Sequence, residues 1–260
     1  MLTLILGPLL IFVFTIFLTV AGLGAAFIVI PTLYYLGVAL KEAMAIGLLL
    51  NAVSMSFASI GYIRSRLVNF KAAIPIIVFG IVFSPIGAYS TKYFSKELLL
   101  AFFVLFLIFA GTMMLFYKPK QTRQKKINEW TIGSVLGVGA GYLGGLLGVG
   151  GGNFIVPGLV WSGFNPKNAS GTTAFIVIFL SFAGFLGHIA IGKIDIVLLS
   201  LCIAASIVGA LVGSWAMTTK LSANQVKKII AIVLYVVALK MLWSLIMYLV
   251  ATKMLWGLIK

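Results

Sequence analysis

Long apolar runs, separated by short stretches of basic and polar residues, fill this chain almost from end to end. Stretches such as AIPIIVFGIVF (73–83) and LLLAFFVLFLIFAG (98–111) are apolar at every position. A transmembrane β-barrel strand alternates apolar and polar residues over about ten positions, so these runs predict helices instead. About 20 mainly apolar residues suffice to cross the hydrocarbon layer. The pattern predicts full spans over 43–63, 72–91, 98–117, 168–191, 196–219 and 223–245. In the last of these, SANQ (222–225) has the form of a capping box. Lys240 then falls far enough along the helix to reach the opposite interface, with Trp243, Tyr248 and Trp256 as interfacial anchors behind it.

Two apolar segments break this rule. Residues 2–36 and 130–163 are interrupted near their middles by glycines, GLGAAF and GVGGGNF, each followed by a proline, Pro31 or Pro157. Glycine weakens a helix by about 0.8–1.0 kcal/mol relative to alanine, so each cluster marks a place where the helix stops. Such a segment either crosses once as a bent helix or dips into the membrane and returns. The second geometry gathers Arg64, Arg66, Lys71, the tract KPKQTRQKK (118–126), Lys167 and Lys220 on one face. The positive-inside rule then favours a re-entrant segment with that face in the cytoplasm.

The halves of the chain repeat one another. Gly24 and Gly150, Pro31 and Pro157, Gly37 and Gly163, Lys41 and Lys167, Gly61 and Gly187, and Gly87 and Gly213 are all 126 positions apart. The reading is therefore an all-α polytopic membrane protein of two homologous, inverted repeats, each a glycine-broken or re-entrant helix followed by three transmembrane helices. The repeats run over 1–117 and 130–260, the second ending in an interfacial tail. A basic cytoplasmic linker joins them at 118–129, and both termini are expected outside.

Composition agrees. Of 260 residues, 62% are hydrophobic and 9% charged, against roughly 25% charged in soluble domains, and the mean hydropathy is +1.21. The net charge of +15 lies between apolar runs and reads as topology charge, not as a nucleic-acid surface. The N-terminal run, with no basic residue before Lys41, fits a cleaved signal peptide poorly. Cys202 lies inside an apolar run and reads as packing. Glu42, Glu97, Glu129 and Asp195 all fall at span borders. With one histidine, one cysteine and no acid inside a span, the chain offers no nucleophile–base pair and no metal set. It reads as no enzyme, with no cofactor and no metal.

GGLLGVGGGNFIVPGL, then NPKNASGTTAF, then GHIAIGKID, with the weaker first-half copy GLGAAFIVIPTL and KEAMAIG, resembles the sulfite exporter family TauE/SafE over essentially the whole chain. The resemblance implies a multi-pass transporter of the cytoplasmic membrane carrying small sulfur-containing anions such as sulfite or sulfonates. A passive anion channel and a carrier of another small organic anion are the alternatives. The expected partners are the small anion and the bilayer, with a homodimer left open.

The residues suggest how an anion is held. A helix N-terminus carries about half a positive charge and free N–H groups that bind oxyanions; inside a membrane those groups cannot face lipid. The candidate binding residues are Gly150, Gly151, Gly152 and Asn153 at one break and Gly24 and Ala25 at the other. Gly171, Thr172 and Thr173, with Asn51 and Ser54, bring polar groups from the neighbouring spans. His188 is a candidate proton or gating site and Arg64 a candidate at the cytoplasmic mouth. Close helix packing through small residues is the competing explanation for the glycines.

Overall fold

In the computed structural model, which describes residues 2–26, 29–30, 33, 40–93, 96–116, 129–188 and 196–259, the predicted spans are helices and the described residues contain no strand. The helices are α1 (Leu2–Ala21), α2 (Leu40–Arg64), α3 (Phe70–Ser90), α4 (Lys96–Phe116), α5 (Glu129–Leu147), α6 (Gly152–Trp161), α7 (Pro166–His188), α8 (Ile196–Thr219) and α9 (Ala223–Ile259). Five of them contain stretches long and apolar enough to cross a membrane: Glu42–Arg64, Phe70–Tyr93, Trp130–Leu147, Pro166–His188 and Leu199–Thr219. Large apolar side chains such as Phe17, Leu105, Trp215 and Leu239 point outward, as lipid-facing positions of a polytopic membrane protein do. The linker from 118 to 128, Asp195, and the side chains of Glu97 and Glu129 lie outside the described residues.

Polar side chains set several helix ends. Asn69 caps α3 by accepting from the Ala72 backbone N–H at 3.1 Å. The predicted capping box opens α9: the Ser222 N–H donates to Gln225 Oε1 at 2.7 Å and the Gln225 N–H to Ser222 Oγ at 3.3 Å. That helix continues past the expected end at 245 and runs for 37 residues. Lys167, in the first turn of α7, reaches the end of α8, where its Nζ donates to the carbonyls of Thr218 at 3.4 Å and Leu221 at 3.1 Å. A cation on the orphan carbonyls of a helix C-terminus is stabilising. Lys167→Met is accordingly expected to cost about 1 kcal/mol, read as a lowered unfolding temperature in detergent.

Helix pairing follows from small residues. Gly133, Gly137, Gly141 and Gly145 form a stripe with four-residue spacing along α5, and this stripe is pressed onto α3. A Cβ at Gly141 would stand 2.7 Å from the Gly80 Cα, and one at Gly137 2.7 Å from the Ile76 carbonyl. On the other side of the bundle Gly209 and Gly213 of α8 do the same against α1, where added Cβ atoms would stand 2.7 Å from the Phe12 carbonyl and 2.6 Å from the Ile16 carbonyl. Small residues let membrane helices approach closely enough for dispersion to hold them. The helices α2 and α7 pack at the centre, α3 also touches α7, α8 also touches α2, and α4 lies on α9. Exchanging the two halves maps α1–α8 onto α5–α3 and α2–α8 onto α7–α3, while α2–α7 and α4–α9 map onto themselves.

The path of the second broken segment is a hairpin. Along α6, Gly151 faces Ala140 and Gly158 faces Leu136, so the chain runs back beside α5. The entry of α5 and the start of α7 lie at the same end of the bundle, near the start of α3: Gly133 meets Pro75, and Gly171 meets Leu67. The helix α1 runs alongside α8 in the same direction, whereas α5 runs alongside α3. The two broken segments therefore enter from opposite ends.

Candidate substrate site at the helix breaks

The same turn ends α1 and α5. Gly22 N–H donates to the Thr19 carbonyl (2.8 Å) and Leu23 N–H to the Leu18 carbonyl (2.9 Å); 126 positions later Gly148 N–H donates to the Gly145 carbonyl (3.2 Å) and Val149 N–H to the Gly144 carbonyl (2.9 Å). This double bond is the Schellman stop, which needs a left-handed residue after the helix. Gly22 and Gly148 supply it at φ +73° and +70°, and Gly24 and Gly150 repeat the left-handed geometry at +79° and +74°. Non-glycine residues pay about 1–2 kcal/mol there, so these glycines serve the turn, unlike the packing stripe on α5.

Beyond the second turn, Gly151 is the N-cap of α6 at φ +78°, with no side-chain cap. Its carbonyl already accepts the first helical bonds from Phe154 (3.0 Å) and Ile155 (3.3 Å). The first N–H groups of α6 have no partner within the helix, as at every helix N-terminus. Asn153 stands in this first turn, 2% exposed. The two breaks touch: a Cβ on Gly152 would stand 3.0 Å from the Leu23 carbonyl and 3.2 Å from the Gly22 carbonyl.

Asn51 ties them together. It lies near the middle of α2, roughly 17 Å from the Leu40 end and 20 Å from Arg64 at 1.5 Å per residue, and is fully buried. Its Nδ2 donates to Ser181 Oγ of α7 at 2.9 Å, and its Oδ1 is buried with no hydrogen-bond partner. A Cβ on Gly24 would overlap Asn51 Oδ1, and one on Gly150 would overlap Ser181 Oγ and stand 2.7 Å from Asn51 Nδ2. Both breaks therefore leave out a side chain where the Asn51–Ser181 pair lies. The buried polar side chains among the described residues are neutral: Ser, Thr and Asn.

The remaining candidates divide. Ala25 is buried beside Gly24, and Thr173 is buried with an unpartnered hydroxyl on α7. Other polar groups are engaged elsewhere. Ser54 Oγ donates to its own helix at the Asn51 carbonyl, 3.2 Å. Thr172 Oγ1 accepts from the Asn69 N–H at 3.0 Å, holding the loop between α2 and α3. Gly171 packs against Leu67 and Tyr62 in the same place. Ser170 Oγ and Tyr62 OH donate to the Ala21 (3.1 Å) and Thr19 (2.8 Å) carbonyls, closing the last turn of α1. His188, whose Nδ1 lies 3.1 Å from the Gly184 carbonyl, is seven residues beyond Ser181, roughly 10 Å along α7. Arg64 is exposed at the end of α2. The geometry thus brings together Gly24, Gly150, Gly152 and Asn51, adds Ser181, and leaves His188 and Arg64 toward the ends of the bundle.

The chain matches the family model of the sulfite exporter TauE/SafE over residues 8–241. It is similar to the probable membrane transporter protein YunE of Bacillus subtilis, with 24% identity over 249 residues covering 85% of this chain and 91% of that protein. To the probable membrane transporter protein YdhB of the same organism it is 29% identical over 206 residues, 76% of this chain and 82% of that one. A probable membrane transporter protein of Haemophilus influenzae is 28% identical over 248 residues, 85% and 90% of the two chains. No solved structure matches. A match across nearly the full length, over helices that carry both breaks, settles the classification: the chain belongs to the sulfite exporter TauE/SafE family.

Proposed function

We propose that this protein is a secondary transporter that exports a small sulfur-containing anion, sulfite or a sulfonate, across the cytoplasmic membrane. The observation that carries the reading is the convergence of two helix breaks, entering from opposite ends, on the neutral Asn51–Ser181 pair in mid-bundle. Inverted broken helices meeting near the bilayer centre are a recurrent construction of secondary transporters. An anion at the start of α6 meets backbone N–H groups and the Asn153 amide, and no buried countercharge is needed to hold it. The matched turns 126 residues apart and the exchange symmetry of the helix pairs support two inverted repeats. That arrangement, with the linker in the cytoplasm, leaves both termini outside.

With no acid inside a predicted span, export has a simple energy source. One negative charge leaving a cell that is negative inside gains about 2.3 kcal/mol per 100 mV, roughly a fortyfold concentration ratio. In liposomes holding the purified protein, efflux of sulfite or a sulfonate is expected to follow an imposed potassium-diffusion potential and to accelerate when the same anion is present outside. Flux that needs a pH gradient and ignores voltage overturns the voltage-driven mechanism. Flux without acceleration by outside anion makes the protein a channel, and flux confined to another organic anion overturns the substrate.

A further inference from the structure

Asn51 belongs to neither broken segment, yet it fills the space left by a missing side chain at each. Its carboxamide is wholly buried; one end is bonded to Ser181 and the other, aimed at the Gly24 break, has no partner. A buried polar atom without a partner calls for an account in strain or in function. Here one end is bonded and the other lies against glycine backbone.

We infer that Asn51 is a built-in plug: its carboxamide occupies the space between the Gly24 and Gly150 breaks that an oxyanion takes when bound, with Ser181 holding it there. A planar group carrying an oxygen and a donor has the size of a small oxyanion, and it stands where side chains at Gly24 and Gly150 would be. Substrate entry then requires the Asn51–Ser181 bond to open and the amide to turn aside. An internal competitor lowers apparent affinity by the fraction of molecules in which it is seated. The inference rests on the anion-carrier reading above and fixes a role for Asn51 opposite in sign to that of an ordinary ligand.

The test is KM and kcat for sulfite efflux from liposomes, in wild type and variants. Asn51→Ala is expected to lower KM at least threefold, because the competitor is gone. Asn51→Asp, nearly the same in shape, seats a negative charge in the anion's place and is expected to raise KM more than tenfold. Ser181→Ala keeps Asn51 and removes only its anchor, so it is expected to lower KM as well. Where Asn51→Ala does not yield folded protein, the sign of the Ser181→Ala shift decides. A raised or unchanged KM in the alanine variants overturns the plug and leaves Asn51 a plain ligand or a strut. Wild-type protein that moves neither sulfite nor a sulfonate overturns the function proposed above instead, so the two failures are distinguishable.

Discussion

Gly145→Leu is expected to destroy the folded bundle, whereas Gly139→Leu, six residues earlier on the same helix, is expected to leave it intact. A Cβ at Gly145 would overlap the Ser84 carbonyl oxygen and stand 3.0 Å from the Ser84 Cα. What it meets is backbone of α3, which cannot turn aside as a side chain can. The two helices would have to separate along a seam that Gly133, Gly137 and Gly141 close in the same way. Overpacking costs about 1–3 kcal/mol where neighbours can adjust; with rigid backbone on both sides the loss is expected to exceed roughly 4 kcal/mol, the range of exceptional substitutions. At Gly139 an added Cβ meets nothing within 4 Å, because that position opens on an apolar groove of about 240 Å³ between α4, α5 and α6. There leucine gains helix propensity of up to about 1 kcal/mol. Size-exclusion profiles in detergent before and after heating separate the outcomes. A monodisperse, heat-resistant Gly145→Leu protein would show that the seam does not hold α5 on α3.

The spans were legible because in a membrane chain every uncharged apolar run long enough to cross has little choice but to be helical. The helices α2, α3, α4, α7 and α8 begin and end within a few residues of the runs that predicted them. Only α9 departs markedly: a capped start and the absence of Pro and Gly between Ala223 and Met254 give the helix no reason to stop at 245. The breaks were legible too, since GLG and GVGGG place glycine where a left-handed turn needs it. Sequence favoured a returning second segment only through the distribution of loop charges, without showing how the chain turns back. That depends on which surface α6 buries, and the small residues facing it on α5, Ala140 and Gly144, look the same in either geometry.

Of the Asn51–Ser181 pair, the sequence shows one member and hides the other. Asn51 stood out as an amide inside a span. Ser181 did not, because a serine within IVIFLSFAGF usually bonds back to its own helix, and the position 126 residues earlier, Met55, carries no polar group. A hydrogen bond 130 residues long in sequence depends on how α2 crosses α7, which no local pattern encodes. Thr172 shows the complementary case. It belongs to a TT pair near the start of a span, yet its hydroxyl serves the Leu67–Asn69 loop. The four-residue spacing of Gly133, Gly137, Gly141 and Gly145 is a packing motif in its own right, and it sets these glycines, which close a seam, apart from Gly148, Gly150 and Gly151, whose left-handed backbone makes the turn.

That division predicts a coupled response at Gly150. Alanine there costs about 1–2 kcal/mol for the left-handed backbone and adds a second penalty, because its Cβ overlaps Ser181 Oγ while the Ser181 Cβ is 3.5 Å away. Ser181→Ala removes only the overlapping atom. The double variant Gly150→Ala with Ser181→Ala is therefore expected to be more stable than Gly150→Ala alone, with a coupling of about 1–3 kcal/mol between the two sites. Transport is expected to stay lost in both, by more than a hundredfold, because the methyl group still stands 2.7 Å from Asn51 Nδ2 and fills the space assigned to the anion in the function proposed above. Unfolding temperatures of the four proteins in the cycle, with liposome flux for each, test both statements. Additive stabilities would mean that Gly150 and Ser181 do not meet, and the two breaks would then not converge on one pair. Recovered flux in the double variant would mean that the space at Gly150 is not where the anion passes, even though the turn is as described.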